Sequence, residues 1–267
     1  GSRSERAGDG ALSRRTLLVA LAHPDDEVGM VAAVLAQRAR GDRVVLLWLT
    51  RGEATDAFGP IPGDEVAARR VELGHRVGAL LGVETRFLDF PDTRLEPGPD
   101  AAARVAREIA DVRPDGILTW GDAWKRGLRH PDHQATGRIV RDAITVARIR
   151  SRVAPLAPHR AAAPVFTYRD VHSTLPAVWI DAEPWLDEIL AVGEIYHQAL
   201  EFPDRTWLEM RLRAIGERRG LRWAEEFDAW ETRGGLVSSL LPAEPEGLAA
   251  HPERSAERAR SERDLDD

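Results

Sequence analysis

Cysteine is absent from the 267 residues. Disulfides, thiolate nucleophiles and cysteine-ligated metals are therefore excluded, and any metal site must be built from histidine and carboxylates. Lysine is nearly absent as well. Lys125 is the sole example, so Schiff-base chemistry has one candidate and arginine carries almost all of the positive charge. No apolar run approaches the ~20 residues that span a bilayer, which excludes a transmembrane helix. An excess of positive charge is also lacking. The net charge of -7 and pI near 5.7 argue against a dedicated nucleic-acid binder. What remains, 43% hydrophobic and 30% charged residues, is ordinary globular composition in a length suited to one large α/β domain or two small ones.

Residues 1–13 are small, polar and charged, and read as a disordered leader or a tag remnant. Ser13-Arg14-Arg15 before an apolar stretch superficially resembles a twin-arginine export signal. His23-Pro24-Asp25-Asp26-Glu27 interrupts that stretch at once, so a cytoplasmic protein is expected. Thr16 to Ala22 is a short, continuously apolar run, as in a strand buried on both faces. A helix is predicted from Asp26 to Arg40, and a second strand from Asp42 to Thr50. A helix over Asp64–Leu81, a strand over Thr85–Phe90, a helix over Ala101–Val112 and a strand over Asp115–Trp120 repeat the unit. Repetition of β-α-β predicts a doubly wound, mostly parallel sheet with helices on both faces. Beyond His133 the spacing predicts a helix to about Ile149, short strands at Val165–Tyr168 and Ala177–Ile180, and helices over Glu183–Gln198 and Pro203–Arg219. These form a smaller C-terminal α/β portion. The expected organisation is one main domain over 14–232 and a flexible charged tail over 233–267.

In an open parallel sheet, ligands bind beyond the carboxyl ends of the strands. Three polar clusters occupy such ends: Ala22 to Glu27, Thr50 to Glu53, and Trp120 to His133. His23 and Asp26 are three positions apart across a turn stiffened by Pro24, and His130 and His133 repeat that spacing around Pro131. One His–carboxylate pair with one further His supplies three ligands and an open position, as a hydrolytic metal requires. Taken alone, each motif has a bland alternative: Asp25 and Asp26 capping the helix in the first, and ordinary turn chemistry for a single His-Pro-Asp.

Ala-His-Pro-Asp-Asp-Glu at 22–27 and His-Pro-Asp-His at 130–133 resemble the two motifs of the LmbE-like, or PIG-L-like, zinc-dependent N-deacetylases. Weaker features agree: Thr50-Arg51-Gly52-Glu53, Arg69 with Glu72-Leu73, Leu81-Gly82-Val83, Phe90-Pro91-Asp92 and Ala224-Glu225-Glu226-Phe227. The resemblance spans roughly Thr16 to Phe227. It implies a Rossmann-like fold and one Zn2+ (Fe2+ or another divalent cation being the alternatives) held by His23, Asp26 and His133. It further implies Asp25 as general base toward water, His130 as oxyanion stabiliser and proton donor, and Asp132 as the carboxylate orienting His130. The implied substrate is a small molecule bearing an N-acetylglucosamine-type group, with an amidase acting on a sugar–thiol conjugate as the alternative.

Two departures accompany the resemblance. Leu128 stands where some members place a tyrosine, with Arg129 beside it as a substitute donor, and Ile195-Tyr196-His197-Gln198 replaces a His-x-Ser-Gln segment. Glu53, Arg69, Asp92 and Arg129 are candidates for gripping substrate, against which stands surface solvation or structural ion pairing. Trp120, Trp124 and Trp179 are candidates for a sugar-stacking wall, with core packing the alternative for Trp120. Two other function classes compete. Non-haem iron oxygenases also use two His and one carboxylate, although typically as His-x-Asp on a β-barrel. A non-catalytic sugar- or metal-binding module would have no need of Asp25 or His130.

Overall fold

The computed structural model describes residues 13–125 and 129–243. Its centre is one eight-stranded sheet in the order β3-β2-β1-β4-β5-β7-β6-β8. Strands β1 (Thr16–Leu21), β2 (Arg43–Thr50), β3 (Glu84–Phe90), β4 (Gly116–Thr119) and β5 (Val165–Tyr168) run parallel. Helices α1 (Val31–Ala39), α2 (Gly63–Leu81), α3 (Pro99–Val112) and α4 (Pro131–Val146) connect the first five strands, with a short α5 (Arg150–Val153) after α4. β1 and β2 form the centre of the core because nine of their fourteen residues are Leu or Val and all but Thr16 and Arg43 are buried. In α2, Val66, Arg70, Leu73, Val77 and Leu81 recur at helical spacing and form the buried face. Gly82 closes that helix in the left-handed region, φ 64°.

The strand order reverses at β1. Its neighbours β2 and β4 are reached by connections on opposite sides, so the crevice between the ends of β1 and β4 is the topological switch point. The motif at 22–27 follows β1 and the motif at 130–133 opens α4 just after β4, so both face that crevice. Close packing of α4 onto β4 requires Gly137, where a Cβ would stand 2.2 Å from the Trp120 carbonyl oxygen.

Two expectations are corrected, and the smaller C-terminal portion is given its place. The single helix from Asp26 is two elements, a 3-10 segment over Asp26–Met30 and then α1. Its first bonds span three residues, Asp26 N–H to His23 O at 3.1 Å and Val28 N–H to Asp25 O at 3.2 Å. The C-terminal portion extends the same sheet. β6 (Ala177–Asp181) and the unforeseen β7 (Ala224–Ala229) pair antiparallel, and β7 docks antiparallel on β5. Helices α6 (Leu186–Leu200) and α7 (Arg205–Arg219) precede β7. The tail does not begin at 233. Gly235–Leu236 forms β8 beside β6, Leu240 and Leu241 are buried, and Gln37 Nε2 donates to the Leu241 carbonyl at 3.0 Å. Apolar anchors hold this stretch although it lacks a helical or strand period. Positions 1–12 of the expected leader and the tail from residue 244 lie outside the described residues. Among the described residues, no helix is long and apolar enough to cross a membrane.

β7 also supplies a cap. Glu225 is fully buried and accepts from the N–H groups of Ala32 at 2.9 Å and Ala33 at 3.0 Å, at the start of α1. Burial pushes its pKa up to about 7 despite those two bonds. The folded state therefore holds this proton more tightly than the unfolded chain, whose glutamate titrates near 4.5. The resulting stability is complete below the unfolded value and is lost as pH rises through about 7, a change of about 3 kcal/mol. Glu225→Gln should flatten the fall in unfolding free energy between pH 5 and pH 8. An unchanged slope in denaturant melts would rule this out.

Candidate active site

Asp26 is the hub of the crevice. Its Oδ2 accepts three N–H bonds of 2.9 Å, from the main chain of Ala22 and His23 and from Trp120 Nε1. That oxygen is saturated. Oδ1 is left facing two imidazoles, 3.1 Å from His133 Nε2 and 3.7 Å from His23 Nδ1. Donor atoms of His23, Asp26 and His133 all lie within 4.8 Å of one another. Burial alone would push the Asp26 carboxyl up, but His133 and His23 outweigh it and hold the group well below the ordinary carboxylate range. One ionised oxygen and two imidazole nitrogens converging on one point fit a divalent cation of the zinc type.

The far edge of His23 is equally engaged. Its Nε2 lies 3.0 Å from Asp132 Oδ2 and 3.0 Å from Asp92 Oδ1. Carboxylates behind a ligating imidazole fix its tautomer and raise its basicity. Burial lowers the His23 pKa, yet the bonds to Asp132, Asp26 and Asp92 lift it well above its usual value. Asp92 falls to about 2: His23 and the Ala54 N–H, which donates to Oδ2 at 2.8 Å, overcome the penalty of burial. Glu53 Oε1 in turn accepts from the Asp92 N–H at 3.0 Å. Glu53 and Asp92 thus belong to the scaffold behind His23. His23, Asp92, His130 and Asp132 form a second convergence of donor atoms along that edge.

Asp132 departs from its expected part. Its carboxylate accepts from Thr93 N–H at 2.8 Å and Leu95 N–H at 3.2 Å as well as meeting His23, and lies 4.0 Å from His130 Nδ1. The bond to His130 comes instead from the Asp132 main-chain N–H, which donates to Nδ1 at 3.2 Å. His130 is the residue before the first turn of α4, and the proline at 131 stiffens this geometry. With Nδ1 accepting, a neutral His130 carries its proton on Nε2. Its ring centroid lies 4.3 Å from His23 and 5.3 Å from His133, so it shares the crevice. Burial and the neighbouring His23 lower its pKa.

Asp25 stands at φ 155°, ψ -19°, a strained conformation for a non-glycine residue and one concentrated at functional sites. Arg70 holds it there. Its Nη2 donates to Pro24 O at 2.8 Å and to Asp25 Oδ2 at 3.1 Å. Gly52, at φ 66°, makes room: a Cβ there would stand 2.7 Å from the guanidinium. Burial raises the Asp25 pKa, and Arg70 opposes the rise.

Arg70 was missed in favour of its neighbour. Arg69 is exposed, pairs with Glu65 at 2.7 Å and lies over Phe58. The signal was present, since Arg70 shares the helical face of Val66, Leu73 and Val77. Arg129 is also exposed and donates to Gln134 at 3.3 Å. Leu128 lies outside the described residues. Trp120 is 2% exposed and faces no open wall, whereas Trp179 lies beneath Arg219, away from the crevice. Two tyrosines complete the surroundings: Tyr168 O–H donates to the Asp26 carbonyl, and Tyr196 O–H to Glu27. No spacing rule pointed to either.

Known proteins show the same arrangement of chain. The family described as PIG-L, GlcNAc-PI de-N-acetylase, matches residues 18–144. The diacetylchitobiose deacetylase of Thermococcus kodakarensis is 31% identical over 216 residues, covering 76% of this chain and 78% of that protein. A 1D-myo-inositol 2-acetamido-2-deoxy-alpha-D-glucopyranoside deacetylase of Nakamurella multipartita is 34% identical over 163 residues, 49% of this chain and 55% of that one. The chain thus spans about half the length of this second relative. Among solved structures, the N,N'-diacetylchitobiose deacetylase from Pyrococcus horikoshii superposes with a TM-score of 0.71 at 23% identity, over 81% of this chain and 84% of that one. That last likeness is one of fold.

Proposed function

The chain belongs to the PIG-L family of N-deacetylases, and on that premise we propose that it hydrolyses the acetamide of a small N-acetylglucosamine-type substrate, with zinc held by His23, Asp26 and His133. The observation that carries the reading is the divided carboxylate of Asp26, with one oxygen saturated by N–H donors and the other turned to two imidazoles. When bound, the cation supplies Lewis acidity toward the amide carbonyl and toward water.

The chain's own residues supply the proton traffic that an amide demands. Water adds to the carbonyl carbon, the C–N bond breaks, acetate departs and the amine keeps a proton. Asp25, set by Arg70 at the mouth of the crevice, takes the proton that water gives up. His130 steadies the developing oxyanion through Nε2–H and relays to the leaving nitrogen the proton that Asp25 has taken from water, ending neutral as it began. The Asp132 N–H on Nδ1 fixes the ring so that Nε2 is the donating atom. Asp132 and Asp92 act one layer further back, orienting His23.

Both named relatives act on 2-acetamido sugars, which supports the substrate class. Release of primary amine should be seen from N-acetylated amino sugars or their glycosides, with zinc and without added oxygen. A much higher kcat/KM on N-acetylated amino acids than on any amino sugar would overturn the sugar assignment, and oxygen-dependent turnover would overturn hydrolysis.

A further inference from the structure

We infer that Trp120 is a positioning residue that sets two of the three metal ligands at once. The inference rests on the ligand reading above and goes beyond it. Of the three donors to Asp26 Oδ2, those from Ala22 and His23 belong to the same turn as Asp26 and move with it. The Trp120 indole is the one donor from another strand, just past the end of β4. It therefore ties the orientation of the carboxylate to the rest of the sheet and leaves Oδ1 aimed at the imidazoles.

The same indole sets His133. The two rings lie parallel, with centroids 3.7 Å apart and planes 7° apart. Such a stack fixes rotation of the imidazole about its own bond, and with it the direction of Nε2 toward Asp26 Oδ1, 3.1 Å away. Tyr168 backs the indole, its centroid 4.2 Å away at 27°, while its hydroxyl holds the Asp26 carbonyl. The helix that carries His133 rests on the Trp120 main chain through Gly137. One buried ring thus joins the motif after β1 to the motif that opens α4. At 2% exposure it has no face for a sugar, so its effect is carried by the ligands. Outer partners that orient metal ligands typically contribute about 10–100-fold in affinity.

Trp120→Phe keeps a ring against His133 and removes the N–H. The zinc-loaded full-length variant should surrender zinc to a chelating dye with an apparent affinity roughly 10–100-fold weaker than wild type. Its cobalt-loaded form should show a displaced visible absorption band. The metal-free variant should melt somewhat below metal-free wild type, because a fully buried ring loses volume, so zinc affinity is compared on samples verified as folded. Trp230→Phe is the control. It deletes a comparable 2.9 Å indole bond, to Thr167 Oγ1, away from the ligands, and should leave zinc affinity unchanged. If the phenylalanine variant folds poorly, benzothienylalanine at position 120 puts sulfur in place of the N–H within the same ring shape and should weaken zinc equally. Wild-type affinity and cobalt absorption in a folded position-120 variant overturn the inference, as does an equal loss in Trp230→Phe. A wild type that takes up no zinc removes the ligand reading itself, and this inference with it.

Discussion

Asp25→Asn is expected to keep its fold and its metal while losing most of its turnover, by roughly 10²–10⁴-fold. The replacement is chosen for what it preserves. Asparagine has nearly the same shape, and its carbonyl oxygen can accept the Arg70 N–H that now reaches Asp25 Oδ2 at 3.1 Å. The strained backbone at φ 155° is then supported as before, since asparagine tolerates unusual conformations better than most residues. Only the capacity to take a proton from water disappears. The loss should therefore fall on kcat, with no matching rise in KM. Steady-state kinetics on a sample of verified metal content checks this. Turnover like that of wild type in metal-replete Asp25→Asn would exclude the general-base role.

Much of the scaffold was legible because its elements obey local rules. β1 and β2 are continuous apolar runs, and Gly82 stops α2 in the left-handed conformation that a Gly past the last helical residue predicts. The two histidine motifs could be placed at neighbouring strand ends because β-α-β repetition constrains topology. β7 was not legible for the opposite reason. Three of its six residues are acidic, yet all six are buried. Each carboxylate is satisfied from another element: Glu225 by Ala32 and Ala33 N–H, Glu226 by Arg218 and Arg219 at the end of α7, and Asp228 by Arg169. Polarity read along the chain cannot register partners that only the fold supplies.

The site shows the same division. Two short motifs marked the crevice and the resemblance they carry implied a ligand set, but the part played by each neighbour depended on direction. Asp132 lies two positions from His130, and proximity in sequence suggested that its carboxylate serves that ring. At the start of α4 its side chain instead turns to His23, Thr93 and Leu95, and only its main chain meets His130. Arg69 and Arg70 differ by one position, about 100° around the helix, which is enough to send one to solvent and the other to Asp25.

Ala substitutions at His23, Asp26 and His133 should each strip the metal, about one divalent ion per chain in wild type, and lower thermal stability together with it. A ligand present at a thousand times its dissociation constant stabilises the folded state by about 4 kcal/mol, and that increment vanishes with the site. The three variants should nonetheless separate once a chelator has removed the metal from all samples. His133→Ala removes a partly exposed imidazole whose contacts are Asp26 Oδ1 and the Trp120 face, so its metal-free form should melt close to metal-free wild type. Asp26→Ala strands three N–H donors at once, from Ala22, His23 and Trp120, in a buried crevice. Each orphaned donor costs about 1–3 kcal/mol, so this variant should be destabilised even against the metal-free reference. His23→Ala should fall between them, because Asp132 keeps its Thr93 and Leu95 partners while Asp92 loses its imidazole. Elemental analysis and melting curves with and without chelator resolve the order. Full metal occupancy in His133→Ala would break the ligand assignment, and a metal-free Asp26→Ala as stable as metal-free wild type would show that Oδ2 is not the anchor its three bonds describe.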